Sequence, residues 1–146
     1  MTGAPTPTDV ALAYLASFAA GDADAVADHV TASFRNEHTS ALGSSSTGRD
    51  EYRRRLPAFL ASFPGLAYEV ETVIADGGDV AVAYRMTATS DGHPVTVRGV
   101  MVFDVVDGLI AGRTDYWDSL GFLRQVSTDP PADPSVDPGA AEAGAG

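Results

Sequence analysis

LAYEVETVIADGGDVAVAYRMTATSDGHPVTVRGVMVFDVVDGLIAGRTDYW, residues 66–117, alternates apolar and polar side chains with a period of two and is interrupted at regular intervals by glycine. That pattern predicts four strands, Tyr68 to Ala75, Val80 to Thr89, Val95 to Val105 and Leu109 to Trp117. The separators Asp76-Gly77-Gly78-Asp79, Ser90-Asp91-Gly92-His93 and Val106-Asp107-Gly108 carry the residues of tight antiparallel hairpins. Gly99 and Gly112 fall inside strands and are expected to mark sharp curvature.

Upstream of the strands the period becomes helical. Thr6-Pro7-Thr8-Asp9 has a capping threonine, a proline suited to the first helical position and an acid where a capping box wants one. Leu12, Leu15, Phe18 and Ala19 then recur at helical spacing as the expected buried stripe. Gly21-Asp22 divides this helix from a shorter one with Val26 and Val30 inward. Phe34 to Thr39 reads as a short extended piece, followed by a loop from Gly43 to Thr47. Thr47-Gly48-Arg49-Asp50 predicts a second capping box for a helix with Tyr52, Leu56, Phe59, Leu60 and Phe63 on its inner face. Pro57 predicts a kink or a break there, and Pro64-Gly65 a stop. Helices followed by a four-strand meander define an α+β domain with helices over one face of the sheet.

Composition bounds the function. The 146 residues suffice for one good core, expected over residues 6–128. The acidic Pro/Ala/Gly-rich stretch 129–146 has little to pack and is expected to be irregular. Nine basic against twenty acidic residues, a formal charge of −11, argue against nucleic acid and anionic membranes as partners. The run Arg53-Arg54-Arg55 reads as a solvated helix face. The chain has no cysteine, which removes disulfides, thiolate nucleophiles and Cys-based metal sites. Three scattered histidines make no metal motif and no nucleotide-binding pattern is visible, so neither metal nor cofactor is expected. With no membrane-length apolar run and no secretion-type leader, a cytoplasmic location is expected.

Asp107-Gly108-Leu109-Ile110, Arg113-Thr114-Asp115-Tyr116-Trp117-Asp118 and the extension Ser119 to Gln125 resemble the SnoaL-like branch of the nuclear transport factor 2 superfamily, which includes polyketide cyclases, ketosteroid isomerase and limonene-1,2-epoxide hydrolase. The resemblance implies a cone: a strongly bent, mostly antiparallel sheet wrapped around N-terminal helices, enclosing an apolar cavity, commonly dimerised through the outer sheet face. Compared with the epoxide hydrolase, Phe34-Arg35-Asn36 keeps the water-binding asparagine as Asn36 and replaces its tyrosine by Phe34. Ala83-Tyr84-Arg85-Met86-Thr87 keeps the arginine as Arg85 and puts Thr87 where the hydrolase has its acid, and Asp115 matches the water-activating aspartate. In the cyclases an aspartate late in the sheet is the acid/base of a cofactor-free aldol closure, a part Asp115 can play.

A carboxylate in an apolar pocket becomes more basic by desolvation and can remove a proton next to a carbonyl. The expected catalytic set is therefore Asp115 as base, Arg85 as its electrostatic partner, and Asn36 and His38 as orienting or oxyanion-stabilising groups, with His38 the alternative base. Phe34, Tyr52, Phe59, Thr87 and Trp117 are the expected ligand-binding residues around the cavity. Arg98 and Arg113 read as surface residues paired with acids across the sheet. The implied function is cyclase- or isomerase-like chemistry on a small hydrophobic carbonyl compound. Two alternatives stand beside it, a non-catalytic carrier of a small hydrophobic ligand and a hydrolase-like enzyme with an altered acid.

Overall fold

The computed structural model describes residues 3–127; the predicted irregular tail lies outside the described residues. Helix α1 spans Pro7–Ser17 and continues as a 3₁₀ turn to Ala20, and α2 spans Ala23–Ala27. Strands β1 (Val30–His38) and β2 (Ser46–Thr47) precede helix α3 (Arg49–Ser62). Strands β3 (Ala67–Asp76), β4 (Asp79–Ser90), β5 (His93–Val106) and β6 (Leu109–Trp117) follow, and helix α4 (Ser119–Val126) closes the described chain. The six strands form one sheet in the order β2-β1-β6-β5-β4-β3. Only the β1–β6 pairing is parallel.

Local chemistry accounts for most boundaries. The reciprocal box between Thr6 and Asp9 starts α1 as predicted, and the Asp22 side chain caps α2. The second predicted box does not form: Gly48 caps α3 at φ +96° with no side-chain bond. Pro57 lies within α3 without ending it, so the helix is one piece. Two-residue turns join β4 to β5 and β5 to β6, with φ positive at Asp91 and Gly92 and at Asp107 and Gly108. Such turns match the right-handed twist of the flanking strands.

The helices pack on the concave face of the sheet, α1 against β3 to β6 and α3 against β1 and β2. Tyr14, Phe18, Tyr68 and Tyr84 form an edge-to-face chain with successive ring centroids 5.2 Å apart. Tyr14 takes the inward place on α1, whereas Ala19, expected in the stripe, is exposed. The extended piece expected from Phe34 is longer and begins at Val30. Its partner β6 lies far along the chain, a pairing that local pattern does not encode.

Bulges interrupt the ladders, one of them directly beside Gly112. Register shifts fall between Val70 and Thr72 in β3, and opposite the Asp104–Val105 step, where Asp104 pairs with Gly112 and Val105 with Ile110. The second leaves Ala111 as an extra residue in β6. It resets the alternation, so that Ile110 faces the core and Arg113 and Asp115 face inward as well. Gly99 and Gly112 make room: a Cβ at Gly99 would lie 2.6 Å from the Tyr84 hydroxyl, and one at Gly112 would lie 2.5 Å from the Arg35 guanidinium.

The convex face is apolar in part. Val102 pairs with Ala81 and Thr114, Val100 with Ala83 and Tyr116, and Ile74 extends the patch from β3. Ile74 and Tyr116 are 70% and 52% exposed. Among the described residues no helix is long and apolar enough to cross a membrane.

Candidate functional site

Asp115 projects from β6 into the concave interior and is only 5% exposed. Its Oδ1 accepts a 2.6 Å hydrogen bond from the Tyr84 hydroxyl. Tyr84 reaches it by crossing β5 over Gly99, its register partner, where no side chain stands in the way. Burial raises the Asp115 pKa above the usual carboxylate value, against the opposing pull of the Arg113 charge and the Tyr84 bond. The result is a carboxylate more basic than those on the surface.

Arg113, two residues earlier on the same face, is equally buried. Its Nη1 donates to the Tyr14 hydroxyl at 2.6 Å, and that hydroxyl shares a short hydrogen bond with Tyr52. Its Nη2 lies 3.1 Å from His38 Nε2. A guanidinium only donates, so Nε2 must accept and the imidazole proton must sit on Nδ1. His38 Nδ1 in turn faces Asp115 Oδ2 at 3.7 Å, beyond hydrogen-bond length.

Protonating His38 would set a second N–H against Arg113 in a desolvated place. Burial first, then the Arg113 charge, lower its pKa to about 4. His38 is therefore neutral near pH 7, and its Nε2 lone pair, the one a general base would use, is engaged by Arg113. Because the unfolded chain takes up this proton first, the contribution of neutral His38 to stability is complete above the ordinary histidine pKa of 6.5 and disappears as pH falls towards 4. Asp115 acts in the opposite sense: its raised pKa favours folding in acid, and that contribution is lost as pH rises through it. An NMR titration of the imidazole is expected to give an Nδ1–H tautomer and a midpoint near 4. A midpoint near the ordinary value would mean that the ring is neither desolvated nor held against Arg113.

These groups border a hollow region made of two adjoining lobes. The larger, about 180 Å³, is bounded by Phe18, Asn36, Ser46, Tyr52, Leu56 and neighbours, with Ser44 and Arg55 at its rim. The smaller, about 80 Å³, lies beside Asp115, Tyr84, Trp117, Met86 and Phe122. His38, Phe59 and Arg113 line both. Several buried polar atoms in these walls have no partner: Asn36 Oδ1, Ser46 Oγ, His38 Nδ1, Arg113 Nε and Trp117 Nε1. Buried polar groups are normally satisfied, so such a cluster points to a polar guest.

The structure brings together Asp115, His38, Asn36, Tyr52, Phe59 and Trp117 from the predicted set. It corrects three others. Arg85 and Thr87 are exposed on the convex face, because Val80, Val82 and Tyr84 take the inward positions of β4. Arg85 stands opposite Arg98 and Glu69, away from Asp115. Phe34 is fully buried behind Tyr52, ring centroids 4.8 Å apart, and supports the wall without forming it. The hydrolase-like alternative thereby loses both its arginine and its altered acid. Arg98 does pair across the sheet, with two 3.0 Å bonds to Glu71, but Arg113 is the internal cation. Sequence reasoning missed Arg113, Tyr14 and Tyr84, although Arg113 shares the alternation of Asp115. Among the described residues no cluster of His, Cys, Asp or Glu could hold a metal ion.

A curved sheet cupping helices around a hollow with an internal carboxylate is the architecture of the nuclear transport factor 2-like fold. A model of the SnoaL-like domain matches residues 11–113, most of the chain, and the protein belongs to that family. The match includes Asn36, His38, Tyr84 and Arg113 and stops two residues before Asp115. A proposed SnoaL-like polyketide cyclase from Jannaschia sp. CCS1 is 22% identical with a TM-score of 0.72, over 89% of this chain and 99% of its own. A proposed polyketide cyclase from Xanthomonas campestris pv. campestris is 23% identical with a TM-score of 0.73, over 83% and 96%. A protein with a ketosteroid isomerase-like fold from Catenulispora acidiphila DSM 44928, in complex with trimethylamine, is 18% identical with a TM-score of 0.74, over 82% and 92%. At these identities the likeness is one of fold. A search of curated proteins finds no match.

Proposed function

We propose that the protein is a cofactor-independent acid/base enzyme of the cyclase or isomerase type, acting on a small, largely apolar carbonyl compound. The observation that carries this reading is the desolvated Asp115 carboxylate, hydrogen-bonded to Tyr84 and flanked by unpartnered polar atoms. Asp115 takes a proton from the carbon next to the substrate carbonyl. The C–H electron pair moves into the carbon–carbon bond, and the carbonyl becomes an enolate. The free N–H of Trp117 Nε1, beside Asp115 in the smaller lobe, is a donor for the enolate oxygen. The enolate carbon then attacks a second carbonyl of the same molecule, whose π electrons move to its oxygen and take the proton from Asp115 to leave a hydroxyl; in a conjugated enolate the γ-carbon takes that proton instead. His38 and Asn36 orient the substrate and the base. An engineered apolar cavity of about 150 Å³ accepts a benzene ring, so the hollow suits a substrate of one ring or a short chain.

The test is solvent exchange. In D2O, the protein is expected to accelerate deuterium uptake at the α-carbon of small cyclic ketones, followed by mass spectrometry. Ligand binding without any exchange across such a panel would favour the carrier reading, which the apolar walls Phe18, Leu56, Met86 and Val97 also suit.

A second copy of the chain is the proposed partner for the convex face, where Ile74, Val100, Val102 and Tyr116 leave an apolar patch open. Sedimentation is expected to give a dimer for the wild type and a monomer for Val102→Glu. A monomeric wild type at high concentration removes this proposal.

A further inference from the structure

The larger lobe holds a row of polar groups that the proton transfer itself does not use. Ser46, Asn36 and Arg113 are register partners across β2, β1 and β6, so they form one transverse row. Each has a buried polar atom without a partner: Ser46 Oγ, Asn36 Oδ1 and Arg113 Nε. Arg113 is 5% exposed, and its hydrogen-bond partners, Tyr14 and His38, are both neutral. No Asp or Glu oxygen lies within 4.0 Å of its guanidinium among the described residues. A buried cation normally has a close counter-charge, because removal from water is costly. Asp115 supplies only a field at longer range. It lies beyond the imidazole of His38 and lines the smaller lobe alone.

We infer that the larger lobe is an oxyanion subsite, in which Arg113, Asn36 and Ser46 hold the carboxylate of a small oxo acid. The inference rests on the hollow being the substrate site and adds the substrate class. Arg113 Nε and Ser46 Oγ are the unpartnered donors of the row; Asn36 donates through Nδ2, since its Oδ1 only accepts, and a carboxylate accepts up to four such bonds. The two lobes separate the charges: the substrate anion rests in the larger one, away from Asp115, while the activated C–H enters the smaller one beside it. A dianionic substrate, or one with its carboxylate next to the reacting carbon, would bring like charges together at Asp115. Such a substrate is disfavoured. Arg55 at the rim is already engaged by Glu51, Ser44 and the Ser45 carbonyl. It contributes to the approach of an anion and not to its final contacts.

Benzoate and its uncharged counterpart benzamide provide the test, with binding to the full chain measured by calorimetry. Benzoate is expected to bind about 10-fold more tightly or better, the scale of a hydrogen bond to a charged group. Arg113→Met should erase the preference, and Ser46→Ala should reduce it while leaving the fold intact. Equal affinities, no binding of either probe, or a preference that survives Arg113→Met would overturn the inference. Where Arg113→Met fails to fold, Ser46→Ala decides, and an unchanged preference counts against the subsite. Asp115→Asn should keep the preference for benzoate. Unchanged exchange in that variant with the preference intact sinks the acid/base reading alone, whereas wild-type exchange without any preference for benzoate sinks the subsite alone.

Discussion

Asp115→Asn is expected to lower the rate of α-carbon exchange by about 10²- to 10⁴-fold, the usual contribution of a positioned acid/base group. The substitution preserves shape and the acceptor oxygen that faces Tyr84, and removes only basicity. Stability should not fall, since Asp115 is held at 5% exposure with a pKa raised by burial. An amide avoids that desolvation cost. Thermal denaturation alongside the exchange assay separates the two effects: a melting temperature at or above that of the wild type, with exchange nearly abolished, is the expected pair. Unchanged exchange would remove Asp115 from the mechanism. The other carboxylates close to the hollow, Glu37 and Glu51, belong to exposed or half-buried positions and lack its apolar surroundings.

The second large effect is expected from a residue with no side chain. Gly99→Ala should cost about 2–3 kcal/mol, on the order of 10 °C in Tm, near the upper end for overpacking a core. The added methyl group would lie 2.5 Å from the Tyr116 carbonyl oxygen and 2.6 Å from the Tyr84 hydroxyl. A flexible side chain could swing away, but the Tyr116 carbonyl belongs to the backbone of the neighbouring strand. Tyr84 would be displaced from Asp115 and exchange should fall with stability. Differential scanning calorimetry measures the first effect and the deuterium assay the second. A variant that melts like the wild type would show that Tyr84 does not lie across β5.

The contrast between Arg85 and Arg113 shows what the sequence made legible. The four long strands, their turns and the first capping box follow from local chemistry: a period of two, glycine at positive φ and a threonine three residues before an acid. The inward position of Tyr84 was also readable, since Val80, Val82 and Tyr84 share one parity and Arg85 has the other. Likeness to the hydrolase strand drew attention to the arginine over that parity. For Arg113 the shared face with Asp115 was visible, but an arginine in a strand is usually a surface residue, and nothing local announces a buried cation held by Tyr14 from a distant helix. The parallel β1–β6 pairing, which brings His38 and Asn36 beside Asp115 and Arg113, depends on closure of a long loop of chain. No short-range pattern encodes it.

The extra residue Ala111 has a consequence for how this strand can diversify. It acts as a phase break: the segment before it answers to packing through Ile110, and the segment after it presents Arg113 and Asp115 to whatever enters the hollow. The two halves of one strand are thus under separate constraints. Changes in chemistry at the far end need not disturb the hydrophobic seal at the near end, so one scaffold can host different reactions without being rebuilt.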